Sequence, residues 1–342
     1  MLERFFSAHV YQKVESYSQE EVEFPRIRID PEKCSGCGYC VKQCGGQLIA
    51  LKDKKAVFVG NAFFGEVCIA CWNCATICKE GAIEIKGYLN IKKGRYKSQQ
   101  IHPRVGFGYP NPFQEEVPKP FSEIEDKLTE VEKVIYRRRS NRVFKREKVP
   151  KELIRRVIEA GRFAPSGGNC QPWQVVVVEN QELLKEIADW SVKILNLLRV
   201  IYMGRRLWNK VMVHLYSWVS PGRMDPRLIG GIDAIYQNRP KYDLFLHAPV
   251  AIFIVKDSRG IGKPLLDCGL FAHSMVLTAH SLGLGTCYIG LSEPINMSLK
   301  LKKKLGLKWP YDEIATCIVM GYPARPADGV VEREIPQVRW IE

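Results

Sequence analysis

Eight of the twelve cysteines crowd into the stretch from Cys34 to Cys78, and they do so twice in the same spacing. Cys34, Cys37, Cys40 and Cys44 read C-x2-C-x2-C-x3-C, and Cys68, Cys71, Cys74 and Cys78 repeat it. Nothing else constrains the chain so tightly, because sulfurs packed this densely are either cross-linked or bound to metal. The opening residues, MLERFFSAHVYQKVESYSQEE, are charged too early and carry too short an apolar stretch for a signal peptide. No apolar run approaches the roughly 20 residues of a membrane-spanning helix. The sequence therefore predicts a cytoplasmic protein, with no membrane partner and with thiols that are reduced or ligating rather than paired in disulfides.

Closely spaced thiolates in this pattern wrap a cubane, and the fourth cysteine of each run reaches across to the other cluster. One [4Fe-4S] cluster is thus assigned to Cys34, Cys37, Cys40 and Cys78, and the second to Cys68, Cys71, Cys74 and Cys44. Structural zinc usually takes two separated pairs of ligands, which matches the spacing less well. Leu48-Ile49-Ala50-Leu51 follows the first run and Ala82-Ile83-Glu84-Ile85 the second, so each copy reads as cysteine loop, helical turn and strand. Over residues 29–92 the chain resembles the bacterial two-cluster ferredoxins. That family usually has proline after each fourth cysteine, where this chain has Gly45 and Lys79. Proline is not a ligand, so the departure bears on reduction potential and not on cluster binding.

With 342 residues the chain has room for two or three domains. Residues 1–28 read as a polar lead-in, 29–92 as the cysteine domain and 93–122 as a linker rich in Pro, Gly and charge. Residues 123–342 mix helix and strand. Ile124, Leu128, Val131 and Ile135 keep helical spacing, and Pro150 opens a helix that carries Leu153, Ile154, Val157 and Ile158. Val175–Val178, Val250–Val255 and Thr316–Met320 read as buried strands, and Asp267–Leu282 as a buried helix.

Three segments of this last part carry chemistry. Arg138-Arg139-Ser140-Asn141-Arg142 offers guanidinium forks that match phosphate oxygens, although a solvated basic helix end has the same composition. Ala164-Pro165-Ser166-Gly167-Gly168-Asn169-Cys170-Gln171-Pro172-Trp173 combines small residues with adaptable hydrogen-bonding groups, as a planar ligand requires and as an ordinary loop also does. Leu282-Gly283-Leu284-Gly285-Thr286-Cys287-Tyr288-Ile289-Gly290 allows close backbone approach but lacks the register of a dinucleotide-binding loop.

Taken in order, these segments resemble the FMN-dependent nitroreductase family, with RRSxR, then PSxxNxQPW, then GLGTCYIG and a strand ending Gly321-Tyr322-Pro323. The resemblance implies a homodimer with FMN at its interface. It implies that Arg138, Arg139, Ser140 and Arg142 hold the flavin phosphate and ribityl chain, and that Pro165, Ser166 and Gly167 lie against the ring system of the partner subunit. Asn169 and Gln171 would bond the flavin or shape its pocket. Gly285, Ile289 and Gly290 would bring backbone close to it, the last two near flavin N5. A late arginine would complete the phosphate site, Arg333 first and Arg325 as the alternative. The implied fold class is α+β: a small ferredoxin-like two-cluster domain, then a nitroreductase-like layered domain with a central, mostly antiparallel sheet and helices around it.

The stretch from about 190 to 243 is longer than the family minimum. Trp190, Ile194, Leu198, Ile201, Trp208, Met212 and Leu215 keep near-helical spacing, broken at Gly204, and Arg199, Arg205, Arg206, Lys210, Arg223 and Arg227 accompany them. This is either a helical excursion that covers the dimer or a basic lid over the flavin. Cys170 reads as inert, Cys268, Cys287 and Cys317 as core, and His273 and His280 as core or interface residues.

The formal charge is +14, and two clusters lower it by only about 4. A basic surface fits an acidic redox partner such as a ferredoxin or flavodoxin. No aromatic-interleaved basic stripe supports nucleic-acid binding. The sequence therefore predicts an FMN- and iron–sulfur-dependent oxidoreductase in which two [4Fe-4S] clusters relay single electrons to or from FMN, which reduces a small nitro, quinone, enone or similar acceptor. NAD(P)H remains a second possible donor. The alternative is an electron-transfer adaptor that serves a protein partner and has no small substrate.

Overall fold

The structure is a computed structural model. It describes residues 20, 22–60, 68–92, 106–203, 207–219 and 243–342, with backbone only at 198–203. In chain order the strands are β1 (Val22–Glu23), β2 (Arg26–Ile29), β3 (Ile49–Lys52), β4 (Lys55–Phe58), β5 (Ile83–Lys86), β6 (Asn90–Ile91), β7 (Phe107–Gly108), β8 (Trp173–Val178), β9 (Val250–Asp257), β10 (Gly285–Tyr288), β11 (Asp312–Gly321) and β12 (Arg333–Glu334). The helices are α1 (Tyr39–Gln43), α2 (Asn73–Thr76), α3 (Phe121–Ile124), α4 (Glu130–Arg137), α5 (Lys151–Arg162), α6 (Gln181–Met203), α7 (Leu207–Val219), α8 (Pro264–Ser281) and α9 (Leu299–Lys304). The chain divides into two compact units, one within residues 1–136, 196–234 and 329–342, the other within 137–195 and 235–328.

The cysteine unit is built from short antiparallel pairs. β2 pairs with β5, placing Ile27 opposite Ile85 and Ile29 opposite Ile83. The alternation of Ile83 and Ile85 turns both inward, and they pack with Ile49, Ala56 and Ala82 around the cysteines. β3 and β4 form a hairpin, and β1 pairs with β6. The expected lead-in is therefore partly structured: Val22 is fully buried against Leu89 and Ile91. Part of the expected linker is ordered too, since β7 pairs with β12 from the far end of the chain; residues 93–105 lie outside the described residues.

The single helix expected across Ile124–Ile135 is two helices. α3 runs into a turn of 3-10 helix at Glu125–Lys127, and α4 begins after Thr129. Thr129 Oγ1 accepts from Glu132 N at 3.3 Å while Glu132 Oε2 accepts from Thr129 N at 2.8 Å, a capping box that starts a new helix. Ile124 and Leu128 are buried, whereas Val131 and Ile135 are exposed, so the four do not share one face.

In the other unit β10, β11, β9 and β8 form a sheet in that order, antiparallel throughout. β9 is central and apolar on both faces. Ala251, Phe253 and Val255 pack with Leu184 and Ile187 of α6. Val250, Ile252 and Ile254 pack with Ile154 and Val157 of α5 and with Phe271 and Met275 of α8. The helix opened by Pro150 is α5, and the buried helix expected near Asp267 is α8. Gly161 lets α5 and α8 approach closely: a Cβ there would stand 2.8 Å from Met275 Cγ.

The expected helical excursion forms the second half of α6 and all of α7. α7 buries Val213 but exposes Leu207, Trp208, Val211, Met212, Leu215 and Trp218. Gly204, Arg205, Arg206, Arg223 and Arg227 lie outside the described residues. Among the described residues no helix is long and apolar enough to cross a membrane.

Candidate functional site

The two cysteine runs repeat one backbone. In the first, Gly36 and Gly38 adopt left-handed conformations with φ of 73° and 72°; in the second, Ala70 and Trp72 occupy the matching places with φ of 50° and 61°. Gly38 and Trp72 each cap a short helix, and within those helices Cys40 and Cys74 are buried. Cys34, Cys37, Cys40 and Cys78 line a single cavity with Ile29 and Ile83. The thiols that act on Cys40 are those of Cys78, Cys37 and Cys34, while Cys74 feels Cys44, Cys71 and Cys68. The fold thus gathers the crossed sets expected from the spacing. Among the described residues no three His, Cys, Asp or Glu side chains close on one point as a lone ion needs.

Burial opposes ionisation of these thiols in the metal-free chain. It pushes Cys40 up to about 11 against the backbone N–H of Val41, and Cys68 up to about 12 against that of Ala70. Burial raises Cys74 further still. Metal coordination reverses this, because a ligating thiol is deprotonated outright. Two backbone donors already point at ligand sulfurs: Ala56 N donates to Cys34 Sγ and Leu48 N to Cys44 Sγ, both at 3.4 Å. Such bonds stabilise a reduced cluster and raise its potential.

In the other unit the arginine segment adds itself to the edge of the sheet. Ser140 bridges Thr286 of β10 in parallel, and Asn141 N donates to Thr286 O at 2.8 Å. Gly285 permits this approach, since a Cβ there would lie 2.9 Å from that of Asn141. Arg139 and Asn141 are buried. Arg138 stands by α8 and β10, where its charge adds to burial in lowering His273, adds to it against Asp328 at His280, and opposes it at Tyr288. Burial is the larger influence on all three: it lowers both histidines and lifts Tyr288 to about 12. His273 is exposed and His280 half-buried, so neither belongs to the core. Ile289 is buried, its N–H donating to Cys317 O at 2.8 Å, while Gly290 opens onto free space with nothing within 4 Å of a Cβ.

The Pro165–Gln171 loop sits at the N-terminal end of α8. Gly167 N donates to Asp267 Oδ1 at 3.3 Å, and Gln171 N donates to Ser166 Oγ at 3.0 Å. Gln171 Nε2 donates to Asn169 Oδ1 at 3.1 Å. Gly168, Asn169 and Gln171 all have positive φ, which turns the loop tightly and leaves Asn169 and Gln171 exposed. His280 lies about 20 Å along the α8 axis from Asp267, at 1.5 Å per residue. The chain thus sets this loop at one end of α8 and extends the surroundings of Arg138 toward the other.

Two residues of this region were not singled out from sequence. Asp267 is buried and its Oδ2 has no hydrogen-bond partner among the described residues; the same holds for Asn141 Oδ1. Orphaned buried oxygens call for a donor, as a bound cofactor would bring. An acid opening an otherwise apolar helix was the available signal for Asp267. The late arginines separate. Arg325 lies in the same unit as Arg138, beyond Pro323, whose neighbour Ala324 donates to Val143 O at 3.0 Å. Arg333 lies on β12 of the cysteine unit and is exposed. Cys268, Cys287 and Cys317 are buried and Cys170 is exposed.

The family model described as the nitroreductase family matches residues 135–322, and that of the 4Fe-4S dicluster domain matches residues 33–83. A protein of Archaeoglobus fulgidus with the provisional name NADH dehydrogenase/NAD(P)H nitroreductase is 25% identical over 59% of this chain and 90% of its own length. A 4-nitrobenzoate reductase of Pseudomonas putida is 28% identical over 45% of this chain and 69% of its own. A solved nitroreductase with bound FMN from Desulfitobacterium hafniense is 25% identical, aligns with 63% of this chain and all of its own, and gives a TM-score of 0.44.

Proposed function

Since the chain belongs to the nitroreductase family and carries a 4Fe-4S dicluster domain ahead of that region, we propose that it is an FMN- and iron–sulfur-dependent oxidoreductase fed by an external single-electron donor. The observation that carries this reading is the gathering of both crossed cysteine sets in one chain with a flavoenzyme scaffold. When bound, the clusters pass single electrons and the flavin pairs them for a small organic acceptor.

The chain's own residues supply position and charge. Arg138, Arg139, Ser140 and Arg142 hold the anionic end of the flavin, with β10 fixing the height of Ser140. Between the late arginines, shared membership of one unit favours Arg325 over Arg333. Gly285, Ile289 and Gly290 bring backbone close to the ring. Ser166, Gly167, Asn169 and Gln171 serve the flavin of the second copy in a homodimer, which accounts for a loop held at the opposite end of α8 from His280. The apolar stripe of α7 fits burial in the same dimer. The acceptor is a nitro, quinone, enone or related compound.

An anaerobic reductive titration tests the reading. Reduced ferredoxin is expected to bleach the iron–sulfur absorption first and the flavin absorption after it. Full turnover on NADH alone in a variant lacking both cysteine sets would overturn the relay.

A further inference from the structure

The first cysteine loop has a cationic rim. Cys37 is exposed, whereas Cys71, its counterpart in the second loop, is half-buried and Cys68 and Cys74 are buried. The β3–β4 hairpin is seated directly on this exposed loop. A Cβ on Gly36 would run into the Lys54 carbonyl, one on Gly38 would lie 3.3 Å from Leu51 Cδ1, and Lys55 Nζ donates to Cys34 O at 2.7 Å. The hairpin tip therefore carries Leu51, Lys52 and Lys54, all exposed, up to the edge of Cys37. Neither Lys52 nor Lys54 makes an ion pair among the described residues, so their charge faces solvent. Lys42, at the last turn of α1, is exposed as well, and Lys33 is paired to Asp30 at 4.0 Å. The acids around this rim are Asp53 at the turn, Glu80 at the cavity edge, and Asp30 and Glu32 ahead of Cys34, so its positive excess lies at the hairpin, where Lys52, Lys54 and Lys55 outnumber Asp53.

Lys54 also sits where lysine is disfavoured. Asp53 and Lys54 form the two-residue turn with φ of 47° and 60°, a conformation that usually selects glycine at the second place. The chain accepts that strain and so gains a cation at the tip.

We propose that Leu51, Lys52 and Lys54 around Cys37 form the docking surface for an acidic protein carrying single electrons, and that electrons enter at the cluster held by Cys34, Cys37, Cys40 and Cys78. The transfer moves one electron and no atoms: the carrier is oxidised and the cluster reduced. The inference rests on the reading that an external donor feeds the clusters, and it assigns that donor a place. A small apolar centre beside the unpaired cations of the hairpin suits a transient complex, fast at low salt and weak at high salt.

The test uses the loaded protein and an acidic bacterial two-cluster ferredoxin. Lys52→Glu and Lys54→Gly are compared with Lys303→Glu, an exposed lysine of the other unit. Lys54→Gly relieves the turn while removing the charge, so the hairpin is retained. Both rim variants are expected to bind the oxidised ferredoxin roughly tenfold more weakly at low salt, with a flattened salt dependence. Reduction by that ferredoxin should slow in parallel, with reduction by dithionite unchanged and Lys303→Glu near the parent. Rim variants that bind and react like the parent at every salt would overturn the docking site alone. A parent chain that dithionite bleaches but the ferredoxin never reduces would overturn both the site and the external donor.

Discussion

The two cysteine loops have one spacing and one backbone path, yet they are built for different surroundings. The first places glycine at both left-handed positions, exposes Cys37 and receives the hairpin against Gly36. The second uses Ala70 and Trp72 at those positions, and the indole Nε1 of Trp72 is buried with no hydrogen-bond partner among the described residues. Glycine in the first loop answers contact with a neighbouring strand pair. In the second, side chains accept strain of about 1 kcal/mol each, and Trp72 packs against the core that holds Cys74. The two runs thus share a backbone path while their surroundings differ, open at Cys37 in the first and more covered at Cys71 in the second.

The strongest way to break this comparison is to remove one ligand from each crossed set. Cys78→Ala should abolish the first cluster and spare the second, and Cys44→Ala should do the reverse; iron content and the cluster absorption of each variant check it. Loss of the clusters in uncrossed fashion would dissolve the assignment. Gly36→Ala comes next. Its Cβ meets the Lys54 carbonyl in a left-handed backbone, so stability should fall by about 3 kcal/mol, read as a lower urea midpoint.

The shielding difference has a pH signature in the cluster-free chain. Unfolded thiols ionise near 9.0, whereas burial holds Cys40 at about 11 and Cys68 at about 12. The folded state therefore keeps more protons than the unfolded state in this window, so its stability is full below pH 9.0 and falls as pH rises towards 11 and 12. Urea midpoints measured upward from neutral pH should decline beyond 9.0, less steeply when Cys68 and Cys74 are replaced by alanine than when Cys40 is. The smallest effect is Ala70→Gly, which relieves a left-handed backbone and should stabilise by up to about 1 kcal/mol. Destabilisation instead would show that the alanine methyl contributes packing that outweighs its strain.

Cysteine spacing makes the three adjacent sulfurs of each group legible from sequence, because C-x2-C-x2-C is a matter of a few neighbouring residues, whereas the fourth sulfur joins from the other run. The strands at β8, β9 and β11 are legible for a similar reason, as runs of β-branched residues buried on both faces. What stays hidden depends on residues distant along the chain. Nothing near Gly36 announces Lys54, and nothing near Gly167 announces Asp267, a hundred residues later. The break between α3 and α4 is an intermediate case. Thr129 and Glu132 do spell a capping box, but apolar spacing through Ile124–Ile135 masks it. Arg333 shows the limit of motif order, since a tail that follows the sheet in sequence need not share its unit.

That tail has a consequence for how the protein is made. Glu332 accepts from Tyr88 Oη, β12 pairs with β7, and a Cβ on Gly329 would press on Thr76 at 3.1 Å, so residues 329–334 are part of the cysteine unit. They are translated only after the whole of 135–322. The cysteine segment leaves the ribosome before the larger domain, yet the strand pair that β12 completes forms only after that domain has been made. Closure of the smaller unit therefore has to wait until the larger one has been synthesised.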